Sequence, residues 1–174
     1  DGDPEKVHEL ALDALNAHEE TIAKHANQFD FPSLKVNIKG KYVGIFGSAA
    51  GLDKNCVALN PLSHIFGYQK VGTIIVPFRP GNDRPRVAVD EKNKLIYNAQ
   101  GFPQFGLAFS IKKLKEYRER GGDAYIIASV CGIPPSPDRL DIAHAELELL
   151  VNNLNQFVNG FEWNPFSPNT AALA

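Results

Sequence analysis

The stretch SIKKLKEYRERGGDAYIIASV, residues 110–130, holds the unit from which the fold is read. Ser110 to Arg120 predicts a helix, and Gly121-Gly122 stops it where a left-handed residue is easiest to place. Ala124 to Val130 then runs without a charge, as a strand buried on both faces does. Outward from this unit the pattern repeats. Upstream, a helix is expected from about Asn55 to Phe66 and a strand from Lys70 to Val76, preceded by short strands at Lys35 to Ile38 and Tyr42 to Phe46. Downstream, Ser136-Pro137-Asp138 opens a helix whose Leu140, Ala143, Leu147, Leu150, Val151, Leu154 and Phe157 keep helical period to Gly160, and Phe161 to Asn164 makes a further strand.

Strand, loop, helix, strand in alternation is the pattern of parallel βα units. Four such strands are legible in 174 residues, and a complete (β/α)8 barrel takes roughly 250. The fold class is therefore α/β, read as the first half of a (β/α)8 TIM barrel or as an open sheet. Two further features sit around it. Val87 to Tyr97 is a polar, hairpin-like stretch after the loop Pro80-Gly81-Asn82. Pro4 to about Gln28 is an amphipathic helix with Val7, Leu10, Ala11, Ala14, Leu15 and Ile22 on one face, capped by Asp3, Pro4 and Glu5. Phe31-Pro32 closes it, so residues 1–32 are expected as a helical extension and 33–174 as the half-barrel.

Composition narrows the function. Eighteen Lys and Arg against 20 Asp and Glu leave a net charge of -2, with no basic excess for a phosphate backbone, so no nucleic-acid partner is expected. Cys56 and Cys131 have neither CxxC spacing nor a His partner, which predicts two reduced, buried thiols. The five histidines are scattered, and no metal is expected. No apolar run reaches the ~18 residues of a membrane span, and the chain is expected to be soluble. Methionine is absent, including at position 1; either the start was processed away or modified methionines were lost from the written chain.

In βα folds chemistry sits on the loops leaving the carboxyl ends of strands. Three such loops are distinctive. Ala49-Ala50-Gly51-Leu52-Asp53-Lys54-Asn55 sets small residues, over which a ligand can lie on backbone, before a lysine. Asn98-Ala99-Gln100-Gly101-Phe102-Pro103 offers amides that suit a planar heterocycle. Asn164-Pro165-Phe166-Ser167-Pro168-Asn169-Thr170 holds a serine stiffly between prolines. No GxSxG elbow, GxGxxG or P-loop is present.

Taken in order, the Ala49–Asn55 motif, Val71-Gly72-Thr73, Pro80-Gly81-Asn82-Asp83-Arg84-Pro85-Arg86, Asn98 to Phe102 and Ser167-Pro168-Asn169-Thr170 resemble the dihydroorotate dehydrogenase family. Asp3 to Leu12 is similar to the helical start of its membrane-associated, quinone-using class 2 enzymes. The resemblance implies an FMN-containing barrel oxidising dihydroorotate to orotate in pyrimidine biosynthesis. It implies that Ala49, Ala50, Gly51, Thr73 and Ser129 border the flavin. Lys54, Asn98, Gly101, Phe102, Asn164 and Asn169 would hold the substrate, with Lys54 on its carboxylate. Ser167 would be the catalytic base that removes the C5 proton while hydride leaves C6 for the flavin. A serine needs a proton acceptor that the sequence does not identify.

Departures bear on the acceptor. His8 matches a residue of the quinone tunnel, whereas Val89 stands where class 2 enzymes carry an Arg, and Ser129-Val130-Cys131-Gly132 is similar to the class 1 pattern. Quinone and fumarate both stay open. Pro165-Phe166 replaces a common small pair and is expected to reshape the pocket. Localisation is expected in the cytoplasm or peripheral to the inner membrane through the N-terminal helix. The later strands would supply the phosphate site, so the chain alone is expected to be inactive. Two rivals remain: a non-catalytic half-barrel that forms a homodimer as a binding or scaffold module, and a lyase using Lys54 as a Schiff base.

Overall fold

In the computed structural model residues 3–165 and 167–170 are described. From the amino end the elements are α1 (Pro4–Ala17), α2 (Glu19–Lys24), β1 (Lys35–Ile38), β2 (Lys41–Gly44), α3 (Leu59–Ser63), β3 (Tyr68–Ile74), β4 (Val87–Asp90), β5 (Leu95–Asn98), α4 (Leu107–Glu119), β6 (Tyr125–Val130), α5 (Leu140–Leu154) and β7 (Gly160–Trp163). The uncharged run becomes β6, the middle of a parallel sheet ordered β3-β6-β7. A middle strand must bury both faces, which is why its sequence carries no charge.

The face of this sheet that carries Val71, Ile74, Ile126, Ala128 and Val130 packs beneath α4 and α5, against Leu107, Leu114, Tyr117, Leu150 and Leu154. Leu114, Ile126, Leu150 and Leu154 have no solvent exposure, and each such side chain contributes about 1.5–3 kcal/mol of burial. The opposite face, which is the interior side of a barrel, is polar. Lys70 pairs with Glu162 across it, and Thr73 lies 3.0 Å from Ser129 between their hydroxyl oxygens. Helices on one face and polar groups on the other leave the strand ends free to build a site.

Several sequence expectations need correction. Tyr42 to Phe46 is not the first barrel strand: β2 ends at Gly44 and pairs antiparallel with β1. The chain beyond it follows β3 through isolated parallel bridges, Gly47 to Tyr68 and Asp53 to Val71. The cause is local, since a Cβ at Gly47 would fall 2.2 Å from the Tyr68 ring. The close approach at Gly47 rests on its missing side chain, and the bridges stay isolated rather than forming a regular ladder. The helix expected over 4–28 breaks at His18, whose ψ of 19° leaves the helical region, and continues as α2 and a 3-10 turn, Ala26–Phe29. The helix expected over 55–66 shrinks to α3, because Cys56 has φ +58° and the Asp53 carboxylate holds the amides of Val57 and Ala58 in a loop. The last long helix starts at Leu140 and ends at Leu154. Gly121 does end α4, at φ +85°, and Val87 to Asn98 is the antiparallel hairpin β4–β5.

Both cysteines are buried and unbonded to each other, and burial pushes the Cys131 thiol up to about 11. Among the described residues no helix is long and apolar enough to cross a membrane.

Candidate functional site

The first strand-end loop is organised by Asp53. Its side chain is 1% exposed, and its two carboxylate oxygens accept from the amides of Val57 at 2.8 Å and Ala58 at 2.9 Å. Burial pushes its pKa up, and those amide bonds work against the rise. With Asp53 turned inward, Lys54 next to it faces a cavity. Burial lowers the Lys54 pKa and the nearby Glu5 carboxylate raises it. Gly51 donates its amide to Gly72 O at 2.9 Å. A Cβ on Gly51 would meet nothing within 4 Å, and its φ of +99° favours glycine, so bare backbone faces open space.

The second wall comes from the chain on either side of the β4–β5 hairpin. Gly101 has φ +67°, and a Cβ there would fall 2.5 Å from Asn82 Oδ1. Asn82 Nδ2 donates to Ala99 O at 2.8 Å and Asn169 O at 3.0 Å. Asn169 Nδ2 donates in turn to Asn98 O at 3.1 Å. These bonds tie the second loop to the segment after β7, which no local sequence pattern could show.

The third wall is the end of β7. Asn164 Nδ2 donates to Thr73 Oγ1 at 3.0 Å, and the Thr73 hydroxyl is 3.0 Å from that of Ser129. Ser167 Oγ is 3.2 Å from Thr170 Oγ1, and both residues are buried. The fourth wall is α1, where His8 Nε2 donates to Leu52 O at 2.6 Å.

Together these enclose a cavity of about 730 Å³. Ala50, Gly51, Lys54, Thr73, Asn98, Gly101, Phe102, Asn164, Ser167 and Asn169, all singled out by sequence, line it. Ala49 and Ser129 do not: Ala49 is exposed, and Ser129 is fully buried behind Thr73. Gln100, the second amide of the Asn98 to Pro103 loop, lines it too, and so do Glu5 and Val87, which carried no sequence signal as site residues. Nor did Arg86, whose guanidinium grips the Glu5 carboxylate at 2.8 and 2.6 Å and donates to the carbonyls of Pro80 and Asn82. This buried pair fastens α1 to the site. The Pro165-Phe166 reshaping of the pocket rests on Phe166, which lies outside the described residues. Among the described residues no three His, Cys, Asp or Glu side chains gather as metal ligands.

A flat flavin ring system fits these residues. The Ala50-Gly51 backbone is bare toward the cavity, Thr73 and Asn164 present a hydroxyl and an amide beside it, and Lys54 supplies a cation.

Parallel strands roofed by helices on one face, with a polar cavity at their carboxyl ends, make this the first half of a (β/α)8 barrel, with a cavity where that fold commonly binds ligands. The sequence profile of the family described as dihydroorotate dehydrogenase matches residues 33–174. The chain belongs to the dihydroorotate dehydrogenase family, whose members are oxidoreductases. It is 31% identical over 175 residues to the dihydroorotate dehydrogenase (quinone) of Anaeromyxobacter dehalogenans strain 2CP-1, covering 98% of this chain and 47% of the relative. To that of a Marinomonas species it is 36% identical over 124 residues, 68% of this chain and 35% of the relative. The ligand-free DHODH from Eimeria tenella superposes with a TM-score of 0.73 at 27% identity, over 95% of this chain and 47% of that one. The same enzyme in complex with ferulenol gives 0.70 at 29% identity, over 90% and 45%. The chain thus spans about half the length of the curated relatives it matches.

Proposed function

We propose that this chain forms the flavin- and substrate-facing half of an FMN-dependent enzyme that oxidises dihydroorotate to orotate in pyrimidine biosynthesis. The observation that carries the reading is convergence: ten residues singled out from separated motifs line one cavity at the strand ends. Ala50, Gly51 and Thr73 would hold the FMN, which supplies a hydride acceptor when bound. Thr73 in turn is held by Ser129 and Asn164.

The chain's own residues do the rest. The Lys54 ammonium, without an ion-pair partner among the described residues, pairs with the substrate carboxylate and sets its orientation. Asn98, Asn164 and Asn169 frame the pyrimidine edges with Gly101 and Phe102 beside them. Ser167 Oγ takes the C5 proton, and Thr170 Oγ1 at 3.2 Å is the first step of its path away. That buried hydroxyl answers in part the need for a relay that the serine alone could not meet.

Residues 1–32 act as an extension to the half-barrel 33–174, and the start of the family match at residue 33 supports that division. Quinone is the acceptor named for the relatives, and His8 lining the cavity favours it here, while Val89, half-exposed and outside the lining, does not. The outward apolar side chains Val7 and Leu10 on α1 give the extension a face for peripheral contact with a membrane.

Orotate titrated into isotope-labelled protein tests the site. Amide shifts are expected to gather on Gly51, Thr73, Gly101 and Asn164. Shifts elsewhere, or none at saturating orotate, would sink the assignment.

A further inference from the structure

A second cavity, of about 490 Å³, shares Glu5, His8, Lys54 and Pro103 with the first and is otherwise separate. Its mouth is built with unusual care for a surface loop. Arg79 and Gln104 exchange both backbone hydrogen bonds at 2.8 Å as an isolated antiparallel bridge. That bridge sets Phe78 opposite Phe105, and their rings stack at 12° with centroids 6.4 Å apart. Phe105 is braced edge-on by Phe109 at 4.9 Å, and its amide donates to Asn55 Oδ1 at 2.9 Å. Gln104 is buried, donating from Nε2 to Lys54 O at 2.7 Å and accepting from the Gly106 amide at 2.6 Å. Two phenylalanines held this firmly nevertheless stand 65% and 52% exposed.

The charges beside them are not balanced. Arg84 and Arg86 are taken by Glu9 and Glu5. Arg79 uses only Nε, on Gly101 O at 2.8 Å, and its two terminal nitrogens have no partner among the described residues. Lys54, on the same lining, has no carboxylate partner among them either. Asp13 on α1 is the remaining carboxylate of the lining. A preformed aromatic stack next to a half-satisfied guanidinium suits a flat ring with a negative group.

We propose that this second cavity binds a small planar aromatic anion, its ring extending the Phe78–Phe105 stack and its anionic group meeting Arg79. The site is independent of the flavin reading, since none of Phe78, Arg79 and Phe105 lines the first cavity.

The test uses 2-naphthoate as probe and neutral 2-naphthalenemethanol as control, titrated calorimetrically into the full chain. One-to-one binding is expected, weakened roughly tenfold in Arg79→Gln and roughly tenfold for the neutral control, the loss of one charge-assisted contact. Phe78→Leu, at a position 65% exposed, should weaken it severalfold and decides the matter if Arg79→Gln melts early. Saturating orotate should leave the affinity unchanged. Equal binding of the neutral control, unchanged affinity in both variants, displacement by orotate, or no binding of 2-naphthoate at all would each overturn the proposal.

Discussion

Removing the Glu5 carboxylate should detach α1 from the site without unfolding the sheet. Glu5 and Arg86 are 6% and 8% exposed, and the guanidinium meets both carboxylate oxygens while its remaining NH1 reaches two carbonyls. Glu5→Ala leaves a buried cation with only those carbonyls and Arg84's neighbouring charge, a change that costs about 3–5 kcal/mol. The other anchors of α1 are few: Leu12 and Leu15 against Ala58 and Leu62, the exposed Arg84 ion pairs to Asp3 and Glu9, which contribute little, and the His8 bond to Leu52 O. Most of the penalty therefore falls on one docking equilibrium, and about 3–5 kcal/mol corresponds to roughly two to nearly four orders of magnitude in its constant. Amide hydrogen exchange reads this directly. The amides of α1 should exchange roughly a hundredfold faster or more in Glu5→Ala, with those of β6 unchanged. Unchanged protection of α1, or equal acceleration in β6, would show that the Glu5–Arg86 pair does not hold α1 to the site. The same contact predicts a pH dependence. Arg86 holds the Glu5 carboxyl below its ordinary 4.5, so the docking it provides is complete above that value and is lost as pH falls through the lowered one. Exchange of α1 measured from neutral pH downward should accelerate only in the acid limb, and Glu5→Ala should lack that limb.

Three further outcomes follow from particular contacts. Lys54→Gln removes the cation that the substrate carboxylate would meet, a charge-assisted bond worth about 1.5–3 kcal/mol, so the orotate Kd measured calorimetrically should rise at least tenfold while the melting temperature holds. Gly132→Ala places a Cβ 2.0 Å from Ala143 O; overpacking of about 1–3 kcal/mol should lower Tm by roughly 2–12 °C, and an unchanged Tm would show that α5 shifts freely. Asn164→Ala removes the amide from Thr73 Oγ1, and the amide shift of Thr73 should move in the labelled protein while that of Leu114, in the core, stays put.

What could be read in advance follows physical lines. The strands buried on both faces were legible because burial leaves an uninterrupted apolar run, and the β4–β5 hairpin and the Gly121 stop were legible because turn residues act locally. Tyr42 to Phe46 misled because its alternation is real but serves an antiparallel pair with β1, whereas the segment alongside β3, Gly47 to Asp53, is mostly small residues that display no period. The short α3 was hidden by Asp53, which satisfies two amides that a helix would otherwise use. In the site, the loop motifs supplied ten of the lining residues. The Glu5–Arg86 pair lies 81 positions apart and the Asn169–Asn98 bond 71. Ser129 could not be distinguished from a lining residue because its burial depends on Thr73 of the neighbouring strand. Thr170 stood in a quoted motif, but only the turn that brings its hydroxyl to Ser167 gives it a part.

Under the proposed function, the strand-end cavity accepts a flavin on the Ala50-Gly51 backbone. The most direct measurement is a titration of FMN with the full chain, following quenching of flavin fluorescence, in wild type and in Gly51→Val. Saturable quenching is expected in wild type, with a further change in the visible flavin bands when orotate is added and loss of both in Gly51→Val with the far-UV spectrum intact. Quenching that persists in folded Gly51→Val, or no quenching of FMN by wild type at any concentration, would contradict that reading.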